Sequence, residues 1–186
     1  MSQRAEMGAI VRNQAPVLVF TAAVTLVTGL VLRFEEGELF ARPWLLALVP
    51  VVNALGGNLG AVLGSRLTSA LHLGLVEPAI QRGPLTDDVG LIATASAIVY
   101  GTLALALGVA GPHVEALPAL ALPDAFAVVL GSGLLLTAGV IGLSVGSALL
   151  AYRRGLDPDD IVIPIVTSLT DLLGVFALLG VAEVVL

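Results

Sequence analysis

One carboxylate in this chain occupies a position where a carboxylate costs free energy. Asp171 stands between the apolar stretches "IVIPIVTSLT" and "LLGVFALLGVA", ten residues beyond Ile161 at the start of the last apolar run. A helix rises about 1.5 Å per residue, so Asp171 is predicted to lie about 15 Å deep, in the middle of a hydrocarbon core of about 30 Å. A charged side chain there costs at least about 2.5–3.5 kcal/mol, and such residues usually face an ion path or a polar cavity.

The neighbours of Asp171 on the same helical face are also rich in oxygen. Helical spacing places Pro164, Thr167, Asp171 and Gly174 on one stripe, which combines a ring without an N–H, a hydroxyl, a carboxylate and a gap. No arginine lies at matching depth in another apolar run, which argues against an internal salt bridge. The stripe predicts a site for a cation or a proton. The alternative is a protonated Asp171 that only hydrogen-bonds a neighbouring helix.

A second polar stretch, "PVVNALGGNLGAVLGSRLTSALHLG", runs from Pro50 to Gly74. Gly56, Gly60 and Gly64 recur every four residues and Thr68 continues the series, so one helical face has almost no side chains. Such a face permits either close helix packing or close approach of the backbone to a ligand.

Asn58 lies within this stretch, and an amide in a glycine-lined surface costs free energy unless it has a partner. Measured from the outer side of the membrane, Asn58 is predicted to lie about 21 Å deep, within one or two turns of Asp171. Asn53 precedes it by one and a half turns, near Pro50, whose missing N–H frees a carbonyl. These oxygens predict a pore wall of hard ligands. Such ligands suit Mg²⁺ or a similar divalent ion, which keeps most of its waters.

The remaining charged and imidazole groups have simpler interpretations. Arg66 is predicted to lie near the cytoplasmic face, where it extends to water or pairs with Glu77. His72 and His113 share no spacing that would make a metal pair, so neither is predicted to be a ligand. Glu183 lies close to the outer boundary and is predicted to be an end residue that reaches water.

Long apolar segments must position these residues. Of the 186 residues, 58% are hydrophobic and only 12% are charged, which is the composition of a membrane protein. A crossing helix needs about 20 largely apolar residues. Five segments qualify: Ala15 to Leu32, Trp44 to about Gly64 with a possible extension to Leu75, Val89 to Ala110, Phe126 to Ala151, and Ile161 to Leu186. The sequence therefore predicts an all-α polytopic membrane protein with five transmembrane helices.

The distribution of charge predicts an orientation. Five arginines lie before the first span or in the second and fourth connections, and two lie in the first connection. The first group is Arg4, Arg12, Arg82, Arg153 and Arg154, and the second is Arg33 and Arg42. Because positive charge is enriched in cytoplasmic loops, the N-terminus is predicted to be cytoplasmic, with residues 1–14 as a short cytoplasmic segment.

Composition also excludes several functions. The net charge of −6 and the lack of lysine exclude a basic nucleic-acid-binding surface. The lack of cysteine removes disulfides, thiolate metal sites and cysteine nucleophiles. An intramembrane enzyme is not predicted, because we expect no paired histidines, no second buried acid beside Asp171, and no base near any serine.

The two polar motifs resemble those of a known family. The stretch from Pro50 to Gly74 and the stretch "DPDDIVIPIVTSLTDLLGVFALL" resemble the transmembrane domain of the MgtE magnesium channels and of their solute-carrier relatives in animals, which transport Mg²⁺. The resemblance covers nearly the whole chain. It is most specific at Gly57, Asn58, Ser65 and Arg66, and at Asp157, Pro158, Pro164, Thr167 and Asp171.

The resemblance implies an architecture and a set of site residues. It implies five helices per unit with the N-terminus inside, so that residues 15–186 form an MgtE-like domain, and a homodimer or a pair of related halves with the pore on the two-fold axis. By resemblance, Asp171 binds hydrated Mg²⁺, Thr167 offers a backbone carbonyl, and Gly57 and Asn58 line the pore. Only about fourteen residues precede the first span, so regulation by the family's cytoplasmic sensor domains is not expected to carry over.

The leading hypothesis is a divalent cation transporter or channel of the cell membrane, with Mg²⁺ as the expected cargo and no cofactor; the sequence does not determine which divalent ion is preferred. Its expected partners are the lipid bilayer, the ion, and a second copy or a related half, with no nucleic acid. One alternative is a proton-coupled transporter in which Asp171 carries the proton. Another is a membrane scaffold subunit that transports nothing.

Overall fold

The computed structural model describes residues 3–74, 84–114 and 120–186, and these residues form helices and turns. The helices are α1 (Gln3–Phe34), α2 (Glu36–Ala41), α3 (Pro43–His72), α4 (Pro84–Ala110), α5 (Leu122–Ala125), α6 (Gly131–Arg153) and α7 (Pro158–Val185). A 3₁₀ turn at Gly111–His113 follows α4, and a π-helical turn at Phe126–Leu130 joins α5 to α6.

Within the described residues, five helical segments are long and apolar enough to cross a membrane. They are Gln14–Phe34, Pro43–His72, Leu85–His113, Leu122–Arg153 and Pro158–Val185. The predicted all-α class and the five spans are therefore confirmed, and the chain is a multi-pass membrane protein. The second span takes the longer of the two predicted forms, since α3 continues to His72. The segment preceding the first span is helical from Gln3 and continuous with α1.

Helix α7 lies at the centre of the bundle. It packs against α1, α3 and α6, whereas α4 packs mainly against α5, the π-helical turn and α6. Helix α1 presents apolar side chains outward, with Val19 70% exposed, as expected of a helix that faces lipid. Because lipid tails are as apolar as leucine, close packing between such helices depends on small residues and buried hydrogen bonds.

The connection between α6 and α7 is short and has a defined geometry. Gly155 adopts a φ of 66°, and the N–H of Leu156 donates to the carbonyl of Ala151 at 3.0 Å, which ends α6 in a Schellman motif. The side chain of Asp157 then accepts from the N–H of Asp159 at 3.0 Å and caps α7, whose first residue is a proline. Helix α7 therefore starts beside the end of α6 and runs back along it.

Candidate functional site

Helices α3 and α7 run antiparallel and keep one register along the glycine face of α3. Each step of four residues on α3 meets a step of four on α7, in the pairs Gly56 with Thr170, Gly60 with Val166, and Gly64 with Val162. A Cβ added to Gly60 would lie 2.6 Å from Cγ1 of Val166, and one added to Gly64 would lie 2.8 Å from Cγ1 of Val162. The four-residue repeat is therefore a packing seam within the chain, the first of the two alternatives that the sequence left open.

The register continues beyond Gly56, but at the next contact the glycine is on α7 and the larger side chain is on α3. Asn53 on α3 lies opposite Gly174 on α7, where an added Cβ would overlap Oδ1 of Asn53 and lie 3.0 Å from its Cγ. The Asn53 side chain is buried, and its Nδ2 donates to the main-chain carbonyl of Asp171 at 3.0 Å. Helix α3 is thus joined to α7 at the turn that carries the candidate ion-binding residue.

Asp171 lies at the midpoint of α7. It follows Pro158 by 13 residues and precedes Val185 by 14, within a helix of 28 residues. The residue is half-buried, and within the described parts of the chain its carboxylate has neither an ion pair nor a hydrogen bond. A charge in the middle of a span with no counter-charge among the described residues requires either hydration by water or neutralisation by a proton or a cation.

Thr167 and Gly57 meet one turn before Asp171. A Cβ added to Gly57 would lie 3.8 Å from Cγ2 of Thr167, which is ordinary van der Waals contact. The Oγ1 of Thr167 donates to the carbonyls of Ile163 at 2.9 Å and Pro164 at 3.1 Å, so this hydroxyl is satisfied within α7. The structure therefore brings Thr167 and Gly57 together at the contact between α3 and α7, one turn before Asp171.

Asn58, the fourth predicted site residue, has a different environment. Its side chain is exposed, although Gly57 beside it is buried against α7. No hydrogen bond joins Asn58 to Asp171 in the part of the chain that the structure describes. Asn58 thus lies on the outer surface of the chain, where a second molecule, water or lipid would meet it.

Two polar residues at this contact were not predicted as site residues. Oδ1 of Asn53 and Oγ1 of Thr170 are the buried side-chain oxygens that have no hydrogen-bond partner among the described residues. The sequence does contain a signal for Asn53, because it precedes Gly56 by three residues and so lies on the glycine face. Its partners on α7 depend on the register between the helices, which the sequence does not contain.

Arg66 has a partner that differs from the predicted one. Its Nε donates to Oδ1 of Asp88 at 2.6 Å, and its Nη2 contacts the same oxygen. Glu77, the predicted partner, lies outside the described residues.

The ion pair also corrects a second prediction. The expectation that the chain has no buried acid other than Asp171 was wrong, because Asp88 is only 9% exposed. Helix α4 begins at Pro84, five residues before the predicted start of the third span, and this places Asp88 in its second turn against α3.

We expect Arg66→Met to destabilise the protein more than Asp88→Asn. The Arg66 side chain is 51% exposed and can reach water without its partner. The side chain of Asp88, taken alone, is 12% exposed and would be left buried and unpaired. Breaking a fully buried ion pair costs about 3–5 kcal/mol, and the exposure of Arg66 reduces this to about 1–3 kcal/mol. Thermal unfolding of both variants in one detergent measures the order. Equal losses, or a larger loss for Asp88→Asn, would contradict it.

The histidines lie apart from Asp171. Nε2 of His72 lies 3.9 Å from Oδ1 of Asp157, and both side chains are about half exposed. His113 is exposed beyond the end of α4. Over residues 3–74, 84–114 and 120–186, no three histidine, aspartate or glutamate side chains come together as a metal-ligand group. That the two histidines are not metal ligands stays a prediction.

Glu183 lies at the end of α7, as predicted, and is exposed. It lines a cavity of about 210 Å³ together with Glu35 and Glu38 from the region of α2 and with Arg42. Three carboxylates and one guanidinium give this end of the bundle a negative potential, which raises the local concentration of cations.

Comparisons with known proteins agree with the sequence motifs. The family model MgtE, described as a divalent cation transporter, matches residues 49–181. Solute carrier family 41 member 3 of Rattus norvegicus is 32% identical in an alignment 139 residues long, which covers 69% of this chain and 28% of that protein. The chain thus spans less than a third of the length of this relative. No solved structure matches the chain. The family match covers most of the chain, including the glycine face of α3 and Asp171, so the chain belongs to the MgtE family of divalent cation transporters.

Proposed function

We propose that this chain carries Mg²⁺ across the membrane and that Asp171 is the ion-binding residue. The observation that supports this most directly is the Asp171 carboxylate at the midpoint of α7, without a counter-charge or hydrogen bond in the described chain. Family membership supports a divalent cation as the cargo. Carboxylate and carbonyl oxygens are the ligands that Mg²⁺ prefers.

We propose further that two copies of the chain form the path. One carboxylate leaves a divalent ion half neutralised, whereas two copies of Asp171 across a two-fold axis provide two negative charges at one depth. A Mg²⁺ ion that keeps its waters fits between them, because the waters fill the space and hydrogen-bond to the protein. The exposed side of Asn58 and the half-buried side of Asp171 are then the surfaces that face the second copy.

The other predicted residues have roles that follow from their positions. A Cβ added to Gly57 would meet Thr167 at 3.8 Å. Because Gly57 has no side chain, this side of α3 has room for a hydrated ion. The hydroxyl of Thr167 is satisfied within α7, so its contribution to the ion's waters is its main-chain carbonyl. The arginine distribution supports a cytoplasmic N-terminus, which places Asp157 and the start of α7 on the cytoplasmic side.

Flux through purified protein in liposomes tests the proposed function. We expect Mg²⁺ to enter vesicles that contain the protein and a Mg²⁺ indicator, and not to enter vesicles without protein. Lack of flux for Mg²⁺ and other divalent ions would contradict the proposal. A proton flux that persists without divalent ions would favour the proton-coupled alternative.

A cysteine introduced at Asn58 tests the dimer and the ion path together. The parent chain has no cysteine, so the new thiol is a unique reporter. We expect Mg²⁺ to slow the reaction of this thiol with a water-soluble maleimide. We also expect mild oxidation to cross-link the thiol to that of a second copy. Arg154→Cys, in the exposed α6–α7 connection, is the matched control and should react equally with and without Mg²⁺.

Two outcomes would contradict the proposed dimer and its ion path. One is unchanged reactivity of the Asn58→Cys thiol in Mg²⁺ without any cross-link. The other is a monomer, by light scattering, that carries Mg²⁺ in the same sample. Protection by Mg²⁺ should also disappear when Asn58→Cys is combined with Asp171→Asn, since the ion is then no longer held.

A further inference from the structure

We infer that Asn53 is a positioning residue for the ion site, which holds the backbone of α7 at Asp171 in the place that Mg²⁺ binding requires. This inference rests on the proposed function of Asp171. It concerns a side chain that contacts neither the carboxylate nor the ion, but acts through the main chain of the residue that does.

The first support is the hydrogen bond between the two helices. Nδ2 of Asn53 donates at 3.0 Å to the main-chain carbonyl of Asp171 itself, at the centre of α7. A helical carbonyl has a second lone pair, so it can accept this bond in addition to its helical one. Asn53 is only 8% exposed, and in such a place no water competes for the donor. The bond therefore fixes the position of α7 along its axis relative to α3, and also its rotation about that axis, at this residue.

The second support is the contact of the same amide with Gly174. A Cβ on Gly174 would overlap Oδ1 of Asn53, so the Cα–H bond in that direction points at this oxygen. Oδ1 has no conventional hydrogen-bond partner among the described residues, and a Cα–H donor is the group that it meets. Asn53 thus contacts α7 at Asp171 and again three residues later, so it holds one turn of the helix from both ends.

The third support is the proline two turns earlier. Pro164 removes a backbone hydrogen bond inside α7, and helices bend most readily at such points. The segment after Pro164 therefore depends on its contacts with α3 and α6 for its position. Leu136 of α6 completes these contacts. Its Cδ2 lies 2.6 Å from the position that a Cβ would occupy on Gly56, and 3.3 Å from the corresponding position on Gly174. Among these contacts, the Asn53 amide supplies the directional one.

The test separates positioning from stability. Asn53→Leu keeps the number and branching of the side-chain heavy atoms and lacks both the donor and the acceptor. Its matched control is Tyr100→Phe, which removes another buried 3.0 Å hydrogen bond to a carbonyl of α3, that of Val52, and leaves the hydrogen bond from Asn53 to α7 in place. We expect both variants to unfold at a lower temperature without Mg²⁺. Only Asn53→Leu should raise the half-saturating Mg²⁺ concentration for flux, by about fivefold or more, as the loss of one hydrogen bond implies.

A second pair of variants tests the same contact from the other helix. Gly174→Ala places a methyl group on the amide of Asn53 and should also weaken Mg²⁺ affinity. In an Asn53→Ala background the amide is gone, so Gly174→Ala should add little. Mg²⁺-dependent thermal stabilisation of the purified protein measures affinity for all four chains without a transport assay. The pair also decides the question if Asn53→Leu does not fold.

The outcomes distinguish this inference from the proposed function. Loss of flux in Asp171→Asn, together with parental Mg²⁺ affinity in the Asn53 and Gly174 variants, would overturn the positioning role alone. So would additive effects of Asn53→Ala and Gly174→Ala. Parental flux in Asp171→Asn would overturn the proposed function and this inference together.

Discussion

Asp171→Asn should strongly reduce Mg²⁺ binding and flux while the protein remains folded. The amide has nearly the shape of the carboxylate but lacks its charge, and in a dimer the substitution removes two charges at once. A hydrogen bond to a charged group is worth about 1.5–3 kcal/mol, so the loss at each copy corresponds to about tenfold or more in affinity. Reconstituted flux should fall by about 100-fold, as measured by Mg²⁺ indicator fluorescence inside the vesicles.

The thermal behaviour of Asp171→Asn provides an independent readout. An ionised aspartate at mid-span costs about 2.5–3.5 kcal/mol or more, so the neutral variant should unfold at the same temperature as the parent or higher in the absence of Mg²⁺. Added Mg²⁺ should raise the unfolding temperature of the parent and not of the variant. Glu183→Gln removes a carboxylate from the exposed end of the same helix and is the matched control. Parental flux in Asp171→Asn would refute Asp171 as the ion-binding residue.

Gly60→Leu should prevent the chain from assembling into its folded bundle. The first carbon of the new side chain would already lie 2.6 Å from Val166 of α7 and 2.9 Å from Val140 of α6, and three further carbons follow it. Overpacking by small groups costs about 1–3 kcal/mol. Here the two helices must separate, so the cost should exceed that range and approach the stability of a typical domain, about 5–15 kcal/mol. Size-exclusion chromatography after detergent extraction measures the loss of folded protein.

Gly101→Leu on α4 is the matched control for this substitution. Nothing lies within 4 Å of a Cβ at Gly101, and this residue is also inside a membrane-spanning helix. It should be extracted and should elute like the parent, because the leucine enters lipid. A folded, conducting Gly60→Leu would show that the α3–α7 contact is not required, and Gly64→Leu, which meets Val162, should then behave in the same way.

The spans and their number could be predicted because they depend on local composition. Each crossing helix satisfies its own backbone hydrogen bonds, so about 20 apolar residues between polar, proline-containing connections are sufficient to identify one. Only the ends differed. Helix α4 begins at Pro84 rather than near Val89, because the acidic residues there are part of its first turns and not of the connection.

The partners of the polar residues could be predicted only in part. Asp171 was identified as a candidate from its predicted depth alone, since a carboxylate at mid-span has few possible functions. The face shared by Gly56, Gly60 and Gly64 was also visible from their spacing. Asp88 was missed as the partner of Arg66 because the two residues lie 22 positions apart on different helices. The local pattern offered Glu77, which is closer in the chain, as the simpler partner.

The sequence by itself determined the fold class, the five spans, the family motifs and the mid-span position of Asp171, because each depends on a run of neighbouring residues. Only the tertiary structure decided that the glycine face of α3 packs against α7, that Gly174 accommodates the amide of Asn53, and that this amide binds the main chain of Asp171. These contacts depend on how far one helix is shifted and rotated against another. That register is the sum of many small packing energies across the helix contact, and no short stretch of residues contains it.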